Sequence, residues 1–268
     1  MKTLLSLDPL SPDSAGGTSS PSIVGSPSAN GHSTTSQHGY NAEEAQHLAG
    51  GRDVHVTNLT ITYRRGQRQA TPVRDFTLYA PSSRITALVG RSGSGKTSIL
   101  SCIAGMLRPE SGKVWLGGIE VTRLVSKPLD DYRRNHVGVV HQAYNLIASL
   151  SARDNVAVPL AFAGVSRKRA LEIATGQLQG LGLGDVLHSR PNQLYGGQQQ
   201  RVAVARALST SPSVVLADEP TAHLDGSSVN DVCALLKMMA EQHRTVIVST
   251  HDDRLLRVAD QIVHLGNE

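Results

Sequence analysis

The run Ile85-Thr86-Ala87-Leu88-Val89 stops at a glycine, and Gly90-Arg91-Ser92-Gly93-Ser94-Gly95-Lys96-Thr97 follows. An apolar stretch this short reads as a strand buried on both faces rather than as a helix. Beyond the glycines, Ile99, Leu100, Ile103, Ala104 and Leu107 recur at helical spacing as far as Arg108-Pro109, which predicts a helix that stops there. Strand, glycine loop and helix in that order point to an α/β architecture. The loop itself fits G-x-x-x-x-G-K-[ST]. Its glycines let the backbone curl so that successive N–H groups turn inward and form a nest for phosphate oxygens at a helix N-terminus. Lys96 then reaches the β- and γ-phosphates, and the Thr97 hydroxyl holds Mg²⁺. Ser98, next in line, completes the candidate phosphate-contacting set.

Two later strands repeat the pattern of an apolar run that delivers polar residues at its end. Val214-Val215-Leu216-Ala217 runs into Asp218-Glu219-Pro220, and Thr245-Val246-Ile247-Val248-Ser249 into Thr250-His251-Asp252. Open α/β sheets bind their ligands at such ends. Asp218 suits a Mg²⁺ site, and Glu219 beside it suits a carboxylate that polarises an attacking water. An acidic pair at a strand end is by itself more often a helix cap, but this one lies about 120 residues after a phosphate loop. Between the glycine loop and these strands, Leu171, Ala174, Leu178 and Leu181 follow Ser166 at steps of three or four and end at Gly182, an amphipathic helix with a glycine stop. Ahead of the loop, Val54 and Val56, then Leu59, Ile61 and Tyr63, alternate as in an edge hairpin. A basic polar loop is expected from Gly66 to Arg74, with a second extended piece over Asp75-Phe76-Thr77-Leu78-Tyr79.

Composition divides the chain. Residues 1–51 hold 10 Ser, 7 Gly and 4 Pro with almost no apolar periodicity, which predicts a disordered tail. The tail carries one basic and four acidic residues of the chain's 26 and 22, so residues 52–268 hold 25 basic against 18 acidic side chains, a formal +7. Such a balance suits nucleic acid, an anionic membrane surface or a polyphosphate, and the motifs have to choose among them. The longest apolar candidate, Val156 to Val165, is far short of the roughly 18–20 residues of a spanning helix and contains Pro159. The opening Met1 to Leu7 meets Asp8-Pro9 before a secretory apolar region could form, so a cytoplasmic protein is expected. Cys102 and Cys233 have neither metal nor disulfide spacing and read as reduced thiols in helices.

The segment Gly196-Gly197-Gln198-Gln199-Gln200-Arg201-Val202-Ala203-Val204-Ala205-Arg206-Ala207-Leu208 resembles the signature helix of ATP-binding-cassette ATPases. The resemblance covers essentially all of 52–268. It is strongest to the short ATPases of lipoprotein-release, macrolide-export and cell-division complexes, on Val139-Val140-His141-Gln142, Tyr144-Asn145-Leu146-Ile147 and Asp154-Asn155-Val156. It implies a P-loop core with an antiparallel β subdomain and a helical insert of roughly residues 141–209. It also implies ATP and Mg²⁺ as ligands, with two copies, or this chain and a paired ATPase, closing around the nucleotide. The remaining partner is then an integral membrane permease docking near Ala143 to Phe162, the chain being peripheral on the inner face of the membrane, with no nucleic acid expected.

Carried over by matching motif, Gln142 senses the γ-phosphate through Mg²⁺, Glu219 is the general base, and His251 donates a hydrogen bond to the γ-phosphate. Thr221-Ala222-His223-Leu224-Asp225 resembles the loop that passes across the dimer. Tyr63 matches the aromatic residue that stacks on adenine, although a place on the hydrophobic face with Leu59 and Ile61 explains it too. Arg64, Arg65, Arg68 and Arg74 either add positive potential near the phosphates or line a solvated loop. One departure is plain: Leu194-Tyr195-Gly196-Gly197-Gln198 has a tyrosine where the family's serine contacts the γ-phosphate of the opposite subunit. A nucleotide switch that binds ATP, hydrolyses it poorly and signals to a membrane or cell-wall partner is therefore a rival reading. A cassette acting on nucleic acid is another, and this chain lacks the second cassette, long coiled coil or zinc insert such proteins usually carry.

Overall fold

The computed structural model describes residues 51–66, 68–222 and 224–266. The proposed tail therefore lies outside the described residues, apart from Gly51, and so does His223 of the predicted cross-dimer loop. Four strands form an antiparallel sheet in the order β2-β1-β4-β5: β1 Val54–Arg65, β2 Arg68–Ala80, β4 Ser111–Leu116 and β5 Ile119–Glu120. Five parallel strands form a second sheet in the order β6-β7-β8-β3-β9: β3 Ile85–Gly90, β6 Val137–Val140, β7 Val214–Asp218, β8 Thr245–Ser249 and β9 Gln261–Leu265. The helices are α1 Lys96–Ile103, α2 Ser126–His136, α3 Ala152–Phe162, α4 Arg167–Gly180, α5 Gly196–Leu208, α6 Gly226–Glu241 and α7 Asp253–Leu256.

The central parallel strands β3, β7 and β8 are mostly apolar runs because both of their faces are covered. Val214 and Leu216 of β7 and Ile247 of β8 pack with α1 and the antiparallel sheet. Val215 and Ala217 of β7, with Val246 and Val248 of β8, pack with α3, α4, α5 and α6 on the other side. Alternate side chains thus enter two different cores, so a one-residue slip would exchange every contact at once. The registers Leu88↔Ser249 and Asp218↔Ser249 bring the ends of β3, β8 and β7 level with one another. The ends of three separate chain segments are thereby fixed at one edge of the sheet.

Three details differ from the sequence reading. The basic loop expected between Gly66 and Arg74 is mostly strand: β2 starts at Arg68 and pairs with β1 from Arg65↔Arg68 to Val54↔Ala80. Backbone pairing satisfies polar main-chain groups whatever the side chains are, so basic composition alone was a poor guide. The hairpin is also not wholly an edge, since β1 lies between β2 and β4. Finally, α1 ends at Ile103 rather than running to Arg108, because Gly105 adopts φ +66 and Met106 N–H donates to Ser101 O at 2.8 Å, a left-handed stop.

Asn58, at φ 49, shifts the β1 register, so Val54 and Val56 and then Leu59 and Ile61 all reach the core although their numbers change parity. The helix predicted after Ser166 is α4, with Ser166 accepting from Arg169 N–H and Gly182 at φ +71. Both cysteines are free and buried in helices, and burial pushes the Cys102 thiol up to about 12. Leu88, fully buried on the strand that feeds the glycine loop, should cost about 2–5 kcal/mol on conversion to alanine. Urea unfolding of Leu88→Ala measures that loss directly.

Candidate active site

The glycine loop leaves β3 and opens α1, and contact as well as conformation accounts for its glycines: Gly93 and Gly95 adopt positive φ, while Gly90 and Gly95 pass close to their neighbours. A Cβ on Gly95 (φ +93) would lie 2.3 Å from Val73 Cγ2, and one on Gly90 would lie 2.6 Å from Ser94 Oγ and 2.7 Å from Leu265 O. The backbone therefore passes closely over its surroundings and turns back on itself, with Ser94 N–H donating to Arg91 O at 3.1 Å. Lys96 is buried, and its ammonium donates to Gly90 O and, at 3.2 Å, to Arg91 O. Ser94 Oγ is buried without a hydrogen-bond partner among the described residues. Such orphan polar groups are rare in a packed fold, and a phosphate oxygen is a fitting acceptor for this one.

Asp218, at the end of β7, meets Thr97 from across the intervening strand β8. Thr97 Oγ1 donates to Asp218 Oδ2 at 2.8 Å, and Ser249 Oγ donates to Asp218 Oδ1. A hydroxyl and a carboxylate are hard oxygen donors of the type Mg²⁺ takes. No group of three or more His, Cys, Asp or Glu able to hold a metal ion occurs among the described residues. A cation bound at this pair would thus take most of its remaining oxygens from phosphate and water, as Mg²⁺ usually does.

Glu219 leaves the strand in a left-handed turn at φ 46, and its N–H donates to Ser249 O at 3.1 Å and Ser249 Oγ at 3.0 Å. Its Oε1 lies 2.9 Å from His251 Nε2, a charge contact without hydrogen-bond alignment. Burial pushes the Glu219 carboxyl above its ordinary range, and Asp218 adds to this. His251 and Lys96 pull the other way. A raised carboxyl costs stability while it is charged, and that cost fades as pH falls through its folded pKa. Gln142 sits on the exposed turn after β6. His141 beside it is held below the ordinary imidazole range by burial and by Arg206.

Tyr63, Ser92, Gly93, Gly95, Lys96, Thr97, Ser98, Gln142, Asp218, Glu219 and His251 line one cavity of about 490 Å³, together with Ala70 and Pro72. That volume suits a small organic ligand. Tyr63 is 46% exposed, unlike Leu59 and Ile61, and its hydroxyl is 2.8 Å from Ser98 Oγ. It stands on the rim rather than on the buried face. Arg64 pairs with Glu110 at 2.9 Å, and neither it nor Arg68 nor Arg74 lines the cavity.

Tyr195, Gly196, Gly197 and Gln198 are not part of that cavity. They line a second one of about 400 Å³ with Arg201, Leu224, Asp225 and Ser228. Gln198 Oε1 accepts from Tyr195 N–H at 3.0 Å, Asp225 caps α6 by accepting from Ser228 N–H at 2.8 Å, and the Tyr195 side chain is 82% exposed. Sequence reasoning missed Ser249 and Arg206 as participants. Ser249 carried a usable signal, as the last, polar residue of an apolar strand. Arg206 stood only as one residue of the segment that resembles the signature helix.

Residues 73–222 match the family model described as ABC transporter, and the chain belongs to that family. It is 44% identical over 213 residues to an uncharacterised ABC transporter ATP-binding protein of Mycobacterium tuberculosis H37Rv, covering 80% of this chain and 64% of that one. It is 39% identical over 216 residues to the macrolide export ATP-binding/permease protein MacB of Bartonella henselae, covering 79% of this chain and 32% of that protein. Among solved structures, the ATP-binding cassette MJ0796, a dimer in a post-hydrolysis state bound to ADP and Pi, superposes with TM-score 0.74 at 35% identity. The match covers 79% of this chain and 94% of that one. Among the described residues no helix is long and apolar enough to cross a membrane.

The electrostatics of Glu219 give a direct measurement. Its carboxyl should titrate above the ordinary carboxylate range in ¹³C NMR of Glu-labelled protein, and His251→Ala, which removes a neighbour that lowers it, should move the midpoint further up.

Proposed function

We propose that the chain is the ATP-binding and hydrolysing subunit of an ABC transporter, pairing with a second cassette around ATP and driving a membrane permease. The observation that carries this reading is the single cavity joining the phosphate loop, the Thr97–Asp218 pair, Gln142 and the Glu219–His251 contact. In it, Lys96 neutralises the β- and γ-phosphates, and Tyr63 offers a flat ring to the base. Glu219 takes a proton from water as its oxygen attacks the γ-phosphorus and the bond to the bridging oxygen breaks, giving ADP and phosphate. Burial, by lifting the carboxyl, makes Glu219 a stronger base than an exposed glutamate. His251 donates to the γ-phosphate. Thr97, Gln142 and Asp218 would hold Mg²⁺, which when bound would supply charge neutralisation on the phosphate oxygens.

The separate second cavity, bearing Tyr195 to Gln198, supports a composite site in which this segment faces the nucleotide of another copy. The dimeric MJ0796 cassette is a precedent. A groove of about 600 Å³ between α2, β6, α3 and α5, with Phe162 73% exposed on its rim, supports permease docking beside the apolar end of Ala143 to Phe162. The chain would then work as a peripheral subunit at the inner face of the membrane. Residues 52–268 form the cassette in this reading, with roughly 141–209 as its helical insert. Replacing Glu219 by Gln keeps the shape and removes the base, so turnover should stop while an ATP-bound dimer accumulates in size-exclusion chromatography. A Glu219→Gln variant that stays monomeric with ATP contradicts the composite site.

Tyr195 favours one modification of this reading, a slow ATPase that works as a nucleotide switch. Tyrosine places its hydroxyl on a rigid ring farther from the backbone than serine does, at a helix start where an anion is favoured. Losing one charge-assisted hydrogen bond costs about 1.5–3 kcal/mol, so Tyr195→Ser should hydrolyse ATP about 10- to 150-fold faster. Equal steady-state rates would show that the ring is accommodated without loss.

A further inference from the structure

The turn that presents Gln142 is held from outside. β6 anchors one end through its parallel pairing with β7, from Val137↔Val214 to Val140↔Ala217. On the other side the chain makes two consecutive left-handed residues, Tyr144 at φ 60 and Asn145 at φ 49. Such conformations are costly for side-chain-bearing residues and persist only where their surroundings impose them. What reaches them is Arg206. Its Nη1 donates to Asn145 O at 2.6 Å and its Nη2 to Tyr144 O at 2.9 Å. Burial lowers the pKa of this guanidinium, so the two carbonyls stand in for water that it has given up. Within the turn, Tyr144 N–H donates to His141 O at 3.0 Å, which leaves Gln142 on a short arc between two fixed points.

Arg206 belongs to α5, the helix whose first residues, Gly196 and Gly197, line the second cavity. We infer that Arg206 is a positioning residue: its guanidinium fixes the Gln142 turn to the helix that carries the signature segment, so that the two move as one body. A displacement of α5 at either end is then felt at the tip of the nucleotide cavity. Arg206 also lines the groove with Val139, Val158 and Phe162, so a segment seated there lies against this link. The inference rests on the ATPase reading above, and deepens it by naming what connects the two cavities within one chain.

The test uses the purified full-length chain, with steady-state ATP turnover read beside affinity for a fluorescent ATP analogue. Arg206→Ala should lower kcat at least about 10-fold while analogue affinity changes by less than about twofold, because two charge-assisted hydrogen bonds to the turn are lost and the cavity wall is not. Arg206→Lys, with one compact charge, should recover part of kcat. The exposed turn offers a second route in Asn145→Val, which disfavours the left-handed residue without touching α5 and should reproduce the kcat loss. The double variant Arg206→Ala/Asn145→Val should be no slower than the slower single one.

Wild-type turnover in Arg206→Ala, a parallel fall in affinity, or losses that multiply in the double variant each overturn the inference. If Arg206→Ala does not fold, Asn145→Val and Arg206→Lys decide: normal kcat in Asn145→Val rejects the link. Failure of the unsubstituted chain to bind or hydrolyse ATP would instead remove the ATPase reading itself, and this inference with it.

Discussion

Everything chemical in this molecule hangs on the parallel alignment of three apolar strands. β3, β8 and β7 are each buried on both faces, so side-chain packing leaves no freedom to slide one strand against the next. Their ends stop at a common level where Leu88, Ser249 and Asp218 pair in register. The polar groups just beyond those ends are placed by this packing and not by one another. Thr97 and Asp218, about 120 residues apart in sequence, meet at 2.8 Å across β8 because the strands beneath them have no alternative register.

Placement at a strand edge also sets the balance of charge. A buried ammonium and a largely buried carboxylate would each be expensive alone. Lys96 meets its cost with carbonyls of its own loop, whereas Glu219 does so only in part. Its backbone is fixed by Ser249, but its Oε1 has a charge neighbour in His251 without an aligned donor. That asymmetry separates the two groups by task. The lysine is a fixed positive charge, while the carboxyl, raised by burial, gains from receiving a proton.

The parts of this arrangement legible in the sequence are those in which the local pattern and the tertiary role coincide. The apolar runs ending in Gly90, Asp218 and Ser249 had to be buried strands, and the glycine loop could only follow the first of them. Where the two levels diverge, the sequence misled. Polar Arg68 to Arg74 enters β2 because β1 supplies backbone partners. Leu107 keeps the helical phase of α1 although Gly105 has already ended the helix. Tyr63 shares the parity of Leu59 and Ile61 but lies past the core's edge, and only the structure distinguishes a residue pointing into a core from one on the same face beyond it. Arg206 was hidden for a different reason. Its partners are main-chain carbonyls, and a carbonyl has no letter in the sequence.

The two cavities raise a further constraint. The phosphate loop, Glu219 and Gln142 surround one, while Tyr195, Gly197 and Asp225 surround the other, and among the described residues none lines both. In the proposed dimer a nucleotide contacts the first cavity of one chain and the second of another, so closing the pair has to align elements that no single chain brings together. Rigid connection inside each chain then becomes useful, because a loose Gln142 turn or a loose signature helix would spread the closing motion over many small adjustments. α5 is well suited to that connection. Gly197 approaches Ser228 so closely at its start that an added Cβ would lie 2.5 Å from Ser228 Oγ, and Arg206 grips the Gln142 turn at its other end. A helix closely packed at its start and bonded to the turn at its other end passes a displacement from one to the other. In the proposed dimer, Tyr195, exposed at the start of α5, is therefore a position where a change of one side chain would bear directly on the closed state.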